Sequence, residues 1–160
     1  MISRVRAFFI ATALVAITSL PAGAGDVILT LDGAIAGGVA VDLTREDLEA
    51  VGSATIKTRT PWHDRKVTFE GVPLQVLLEK FGATGDTLSV VALNNYRSEM
   101  PVGDISKYGV ILAMKQDGAY MPISDKGPLF IVYPFDSDEA LDNEVYYARS
   151  AWQVRSITVE

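Results

Sequence analysis

The stretch 58–81, TRTPWHDRKVTFEGVPLQVLLEKF, constrains this chain more than any other. A strand running to Arg59 leads into Thr60, Pro61, Trp62, His63, Asp64 and Arg65, a loop richer in distinctive side chains than any other in the sequence. Val67 and Phe69 then alternate as in a half-buried strand. Gly71 supplies a turn, and Pro73 suits the first helical position, where its missing N–H would be unpaired in any case. Leu74, Leu77, Leu78 and Phe81 fall on one face at helical spacing, and Gly82 is a natural left-handed stop. The order strand, loop, strand, helix sets an aromatic, basic and hydroxyl-bearing loop at the mouth of a tight unit. That loop is the first candidate for function.

The first residues read as a targeting segment. Arg4 and Arg6 precede an apolar run over 7–20, and Pro21, Ala22, Gly23 and Ala24 end in a small-x-small site. This is the pattern of a signal peptide spanning 1–24 and cut after Ala24, with a single domain over 25–160. The apolar run is shorter than the ~20 residues a membrane span needs, so no membrane insertion is expected after cleavage. The 14 basic residues are outnumbered by 20 acidic ones, and two of the basic ones lie in the leader. Such a balance argues against nucleic acid, whose binding needs clustered Lys and Arg. With no cysteine, the chain has no disulfide, no thiolate metal ligand and no thiol nucleophile. His63 is the lone histidine, which argues against a His-based zinc or copper site.

Taken in order, residues 26–31 form a strand closed by Asp32 and Gly33, and a Gly- and Ala-rich connection follows. Thr44 with Asp47 resembles a capping box, introducing a short helix that turns Leu48 and Val51 inward and stops at Gly52. Residues 53–59 and 87–93 are strands, and Asn94 and Asn95 form a hairpin turn returning through 96–100. Residues 101–108 read as irregular with a helical turn, 110–114 as a central strand, and Asp117-Gly118 as a turn. The run 129–133, LFIVY, is the most strand-like of all, and 153–159 closes the chain as a strand. Asp136, Asp138, Glu139, Asp142 and Glu144 crowd an acidic run whose oxygen spacing fits no EF-hand loop. It reads as a solvated loop or as a surface facing a basic partner, and 144–150 as a helical turn. The sum is a mixed, β-dominated α+β domain with two short helices.

No G-x-S-x-G elbow, Walker loop or G-x-G-x-x-G occurs, and the residues lean away from an enzyme. They lean toward binding. Trp62, Tyr96, Tyr133 and Trp152 sit at or near strand ends, beside Arg59, Arg65, Arg97, Lys126 and Arg149 and the amides of Asn94 and Asn95. Aromatic faces with a few convergent polar groups suit a flat, polar heterocycle. Each residue has a plainer reading too: Tyr133 and Trp152 as core, Asn94 and Asn95 as a turn, His63 as an exposed loop residue.

A set of motifs then gives a family resemblance. They are Thr60-Pro61-Trp62, Phe69-Glu70-Gly71-Val72-Pro73-Leu74, Ala92-Leu93-Asn94-Asn95-Tyr96, Asp117-Gly118, Asp125-Lys126-Gly127-Pro128-Leu129 with Tyr133-Pro134, and Arg149-Ser150-Ala151-Trp152-Gln153. In that order they span nearly all of 27–159, and the chain resembles the molybdopterin-binding domain of the sulfite oxidase type, in its cut-down periplasmic form. The resemblance implies a β-dominated mixed sheet or barrel-like single domain. It also implies a periplasmic, pterin-binding regulator that acts on a transmembrane signalling partner, a cyclic-di-GMP enzyme (diguanylate cyclase/phosphodiesterase) or a sensor kinase, through the partner's periplasmic domain. The ligand implied is a tetrahydropterin or relative, and the binding residues carried over are Thr60, Trp62, Asn94, Asn95, Tyr96, Lys126, Tyr133 and Arg149. Enzymes of the superfamily hold molybdenum through a cysteine in the region matching 57–62, where this chain has none, so no molybdenum is expected. The chain also has Asn95 where relatives often have Asp, and Ser124 where they often have Arg. Two other readings stay open: a molybdopterin-dependent oxidoreductase whose thiolate is lost or replaced, and an interaction module without a ligand.

Overall fold

A computed structural model describes residues 25–160, and the leader expected over 1–24 lies outside the described residues. Two five-stranded sheets carry the domain. The first has the order β2-β1-β10-β5-β6, built from Val41–Thr44, Val27–Gly33, Val154–Val159, Thr87–Ala92 and Arg97–Pro101. Its β1·β10 pair is parallel and the rest are antiparallel. The second runs β3-β4-β7, with Ala54–Thr60, His63–Pro73 and Ile111–Gln116. The short strands β8 (Ala119–Tyr120) and β9 (Phe130–Val132) share the other edge of β7. The architecture is α+β and strand-dominated, as expected, but the sheets stay open and form no closed barrel.

The apolar run around β9 is explained by two-sided burial. Ile111, Ala113, Phe130 and Val132 point into a small layer with Val67, Phe69 and Met121. Their alternate neighbours Leu112, Met114, Ile131 and Tyr133 point into the main core, shared with Leu29, Leu31, Leu88 and Ile157 of the first sheet. A strand buried on both faces loses the apolar/polar alternation and reads as a continuous hydrophobic run.

Among the described residues four α-helices cover the sheets, two more than expected. The Arg45–Val51 helix (α1) carries the anticipated capping box, Thr44 and Asp47 each accepting the other's backbone N–H. Leu74–Lys80 (α2) buries Leu74, Leu77 and Leu78 and ends at Gly82, φ 59°. Val102–Tyr108 (α3) and Glu144–Arg149 (α4) replace what the sequence suggested were single helical turns. Both are short and bury little of their own surface, so the apolar periodicity that reveals a helix is faint in them. Their caps are clearer: Gly109 in the left-handed region ends α3, and the Asn143 side chain accepts the Val145 N–H to start α4.

Two local expectations are corrected. The six-residue loop after Arg59 is a two-residue turn, because His63 already pairs with Thr60 across the hairpin. Gly71 makes no turn. It lies inside β4 where the ladder to β7 shifts register, and a Cβ there would sit 2.1 Å from the Leu112 carbonyl oxygen. The residue is glycine because the neighbouring backbone occupies the side-chain position.

This contact makes a direct prediction. Gly71→Ala should cost about 3 kcal/mol and lower the melting temperature by roughly 10 °C, since β4 and β7 must move apart. Gly103→Ala, in α3 with open space around the added Cβ, should instead hold or raise stability by up to about 1 kcal/mol. Thermal melts of the two variants check the pair, and equal effects would contradict the close approach.

Candidate functional site

The β3–β4 turn projects Trp62 over the small apolar layer. The Thr60 hydroxyl accepts the Trp62 N–H at 3.3 Å and lies 2.6 Å from Nδ1 of His63. The Trp62 ring meets Phe130 and Trp152 edge to face, with ring centres 5.8 and 5.0 Å away, and Tyr147 at 6.3 Å. Phe69 stands behind Phe130 at 5.6 Å.

Trp152 is fixed from the other side. It forms a single β-bridge with Phe130. The next residue, Gln153, sits at φ 53°, gives its N–H to the Lys126 carbonyl at 3.0 Å and takes the Leu93 N–H on its own carbonyl at 2.8 Å. The third wall is the β5–β6 turn, where the Asn94 Oδ1 accepts the Tyr96 N–H at 3.0 Å and Asn95 takes φ 66°. The two amide hydrogens of Asn94 have no partner among the described residues. The fourth wall is α4, tied down where Tyr96 and Ser98 donate to the Ala148 carbonyl at 3.2 and 2.6 Å.

Between these walls lies a cleft of about 320 Å³, lined by Trp62, Trp152, Tyr96 and Tyr147 with Asn94 and Ser150. Its polar groups are hydroxyls, indole N–H and one amide; the lining offers no carboxylate, imidazole or amine. That chemistry can enclose a flat ring and donate hydrogen bonds to its edge, but it holds no charged proton donor or acceptor.

Three of the eight binding residues that the resemblance implies, Trp62, Asn94 and Tyr96, meet at this cleft. The other five lie elsewhere. Thr60 supports the Trp62 turn and borders a neighbouring cleft of about 590 Å³ with Arg59, Pro61, Asp136, Glu139 and Asp142. Asn95 turns away and accepts from Arg155 at 3.0 Å. Lys126 pairs with Asp125 at 3.3 Å, and its backbone rather than its ammonium supports the site. Tyr133 is fully buried, its hydroxyl donating to Asp104 at 2.9 Å, and Arg149 donates to the same oxygen at 2.8 Å. Burial, then this hydrogen bond, pushes the Tyr133 phenol far above the usual tyrosine range. Tyr133 and Arg149 thus join α3, β9 and α4 below the cleft instead of lining it.

Two wall residues lie outside those eight. Trp152 was legible as an aromatic near a strand end, although its plainer reading was core; it is both, part-buried and lining the cleft. Tyr147 follows the acidic run and carries no sequence signal of its own. The acidic run is largely engaged by its own chain. Asp136 accepts the Arg59 N–H at 3.2 Å and pairs with Lys66 at 2.9 Å. Asp138 accepts the Ala140 N–H at 2.9 Å, and Asp142 accepts from the Tyr147 hydroxyl. Among the described residues no three His, Asp or Glu side chains gather as a metal site. With no cysteine in the chain, no protein thiolate could ligate a molybdenum centre in this fold.

His63 is not the exposed loop residue its sequence position suggested. It is half-buried against Phe69, ring centres 5.6 Å apart. Burial, then the positive charge of Lys126, holds its imidazole below the ordinary value of 6.5, partly offset by Asp125 and Gln116.

No family model matches the chain, and no curated protein does. Among solved structures it is similar to the crystal structure of the sulfane dehydrogenase SoxCD from Paracoccus pantotrophus. The likeness has a TM-score of 0.61 at 17% identity and covers 82% of this chain and 37% of that one. This chain therefore spans little more than a third of that protein's length, and at such identity the likeness speaks for the fold alone. The strand-dominated α+β fold is thus a neighbour of the sulfite-oxidase-type fold.

The His63 environment predicts an acid-side loss of stability. Since the folded chain resists protonating this imidazole, the unfolded chain binds more protons between the folded pKa and 6.5. Stability is then full above 6.5 and falls as pH drops from there toward the folded pKa. Urea midpoints at about pH 7.5 and about pH 5.5 should differ in the parent and differ less in His63→Gln. Equal differences in both proteins would contradict it.

Proposed function

We propose that this chain is an exported pterin-binding regulatory protein without catalysis of its own. The observation that carries the reading is the cleft walled by Trp62, Trp152, Tyr96 and Tyr147, with the free amide hydrogens of Asn94 at its edge. Its volume of about 320 Å³ lies at the small end of ligand pockets, which suits a bicyclic ring better than a nucleotide. A pterin offers a flat face to an indole and carbonyl and ring-nitrogen acceptors to an amide. The sulfite oxidase type of fold supports the choice of a pterin over other heterocycles. The absence of acid, base and thiolate from the lining supports binding over turnover. In this reading a reduced pterin occupies the cleft in the periplasm. The liganded state is sensed by the periplasmic domain of a transmembrane signalling protein, a cyclic-di-GMP enzyme or a sensor kinase.

Calorimetric titration with a tetrahydropterin under reducing conditions tests the site. Stacking of a heterocycle on an aromatic side chain is worth about 1–3 kcal/mol, so Trp62→Ala should weaken binding by roughly ten-fold to over a hundred-fold. Because Trp62 also covers Phe130, Trp62→Leu is the companion variant, keeping apolar cover while removing the π face. An unchanged affinity in a folded variant, or no binding by the parent, would overturn the reading. About one molybdenum per purified chain would overturn it in favour of the oxidoreductase.

A further inference from the structure

A groove of about 690 Å³ opens where the first sheet frays. β1 begins at Val27, but its pairing with β10 begins only at Thr30 and Ser156. Residues 27–29 therefore have a strand neighbour, β2, on one side alone. Around that gap the chain presents Val27, Leu93 and Ile123, which are 54%, 42% and 59% exposed and line the groove together. Isolated exposed apolar residues are ordinary; three converging on one groove with charge at its edge mark an interaction site.

The charge at that edge is basic. Arg45 and Arg155 line the groove, and Asp26 is its one carboxylate. Among the described residues neither arginine has a carboxylate partner in the ion pairs formed. Arg45 lies over the Tyr120 ring at 4.3 Å, and Arg155 donates to the neutral Asn95 amide at 3.0 Å. In a chain of net charge −6, two cations without a carboxylate partner among the described residues, beside exposed apolar side chains, complement an apolar segment that carries negative charge.

We propose that this groove docks an extended segment of a partner protein, apolar residues alternating with carboxylates, which adds as a short strand along residues 27–29. Main-chain hydrogen bonds to the unpaired edge hold it, and carboxylates meeting Arg45 and Arg155 fix its register. The docking stands whether or not a pterin fills the cleft. The two sites nonetheless share one turn, which lends Leu93 to the groove and Asn94 and Tyr96 to the cleft.

Photo-crosslinking of the full chain in its native host tests the proposal. Benzoylphenylalanine replaces Ile123 in the groove and, as a control, Lys57 on the exposed edge of β3. The expected adduct at position 123 contains a peptide of another exported or membrane protein with apolar residues alternating with Asp or Glu. Combining Arg45→Glu with Arg155→Glu should cut its yield at least about ten-fold. Arg155→Gln, a milder change on an exposed side chain, should lower it in the same direction. The proposal is overturned if the adduct is a second copy of this chain, its own residues before Gly25, or a segment without carboxylates. It is equally overturned if position 57 gives the same adduct, if the arginine variants fold and cross-link undiminished, or if no adduct forms.

Discussion

Strands β7 and β9 send alternate side chains into two apolar layers, and the cleft side of the molecule depends on the thinner one. Phe130 is its centre: it packs on Phe69 within the sheet and carries the edges of Trp62 and Trp152 above it. An aromatic pair in edge-to-face contact gains about 0.5–1.5 kcal/mol beyond its buried area, and here several such contacts converge. The two indoles are thereby held part in the core and part in the cleft. Loop residues alone would not hold them so firmly; the two-residue turn, the Thr60 hydroxyl and the bridge from Phe130 to Trp152 do.

What the sequence showed followed its local rules. The capping box at Thr44, the αL stop at Gly82 and the Asn94-Asn95 turn are set by residues a few positions apart, and each stands where expected. Trp62 was legible as a site candidate because a tryptophan beside a proline between two strands has few purely structural uses. The failures are non-local. Gly71 looked like a turn because its real constraint, the Leu112 carbonyl, is distant in sequence. Tyr133 and Arg149 looked like ligand contacts, yet both meet Asp104 across the fold. Helices α3 and α4 hid because they rest on their caps and lack the apolar periodicity that makes a helix visible.

The cleft and the groove are the two openings reached from the turn after β5. Asn94 and Tyr96 face one and Leu93 the other, while Gln153 ties that turn to the Lys126 loop through two backbone hydrogen bonds. Asn95 within that turn and Gln153 beside it both take positive φ.

In the proposed function a reduced pterin sits against both indoles. The chain has two tryptophans, Trp62 and Trp152, and both line the cleft. Nuclear magnetic resonance of the ¹⁵N-labelled protein should therefore give two indole N–H signals for the folded domain. Titration with a tetrahydropterin should move both along saturating curves with one dissociation constant, with Trp62→Leu deleting one signal and weakening the response of the other. Two indole signals that stay in place while the pterin is in excess would contradict the account.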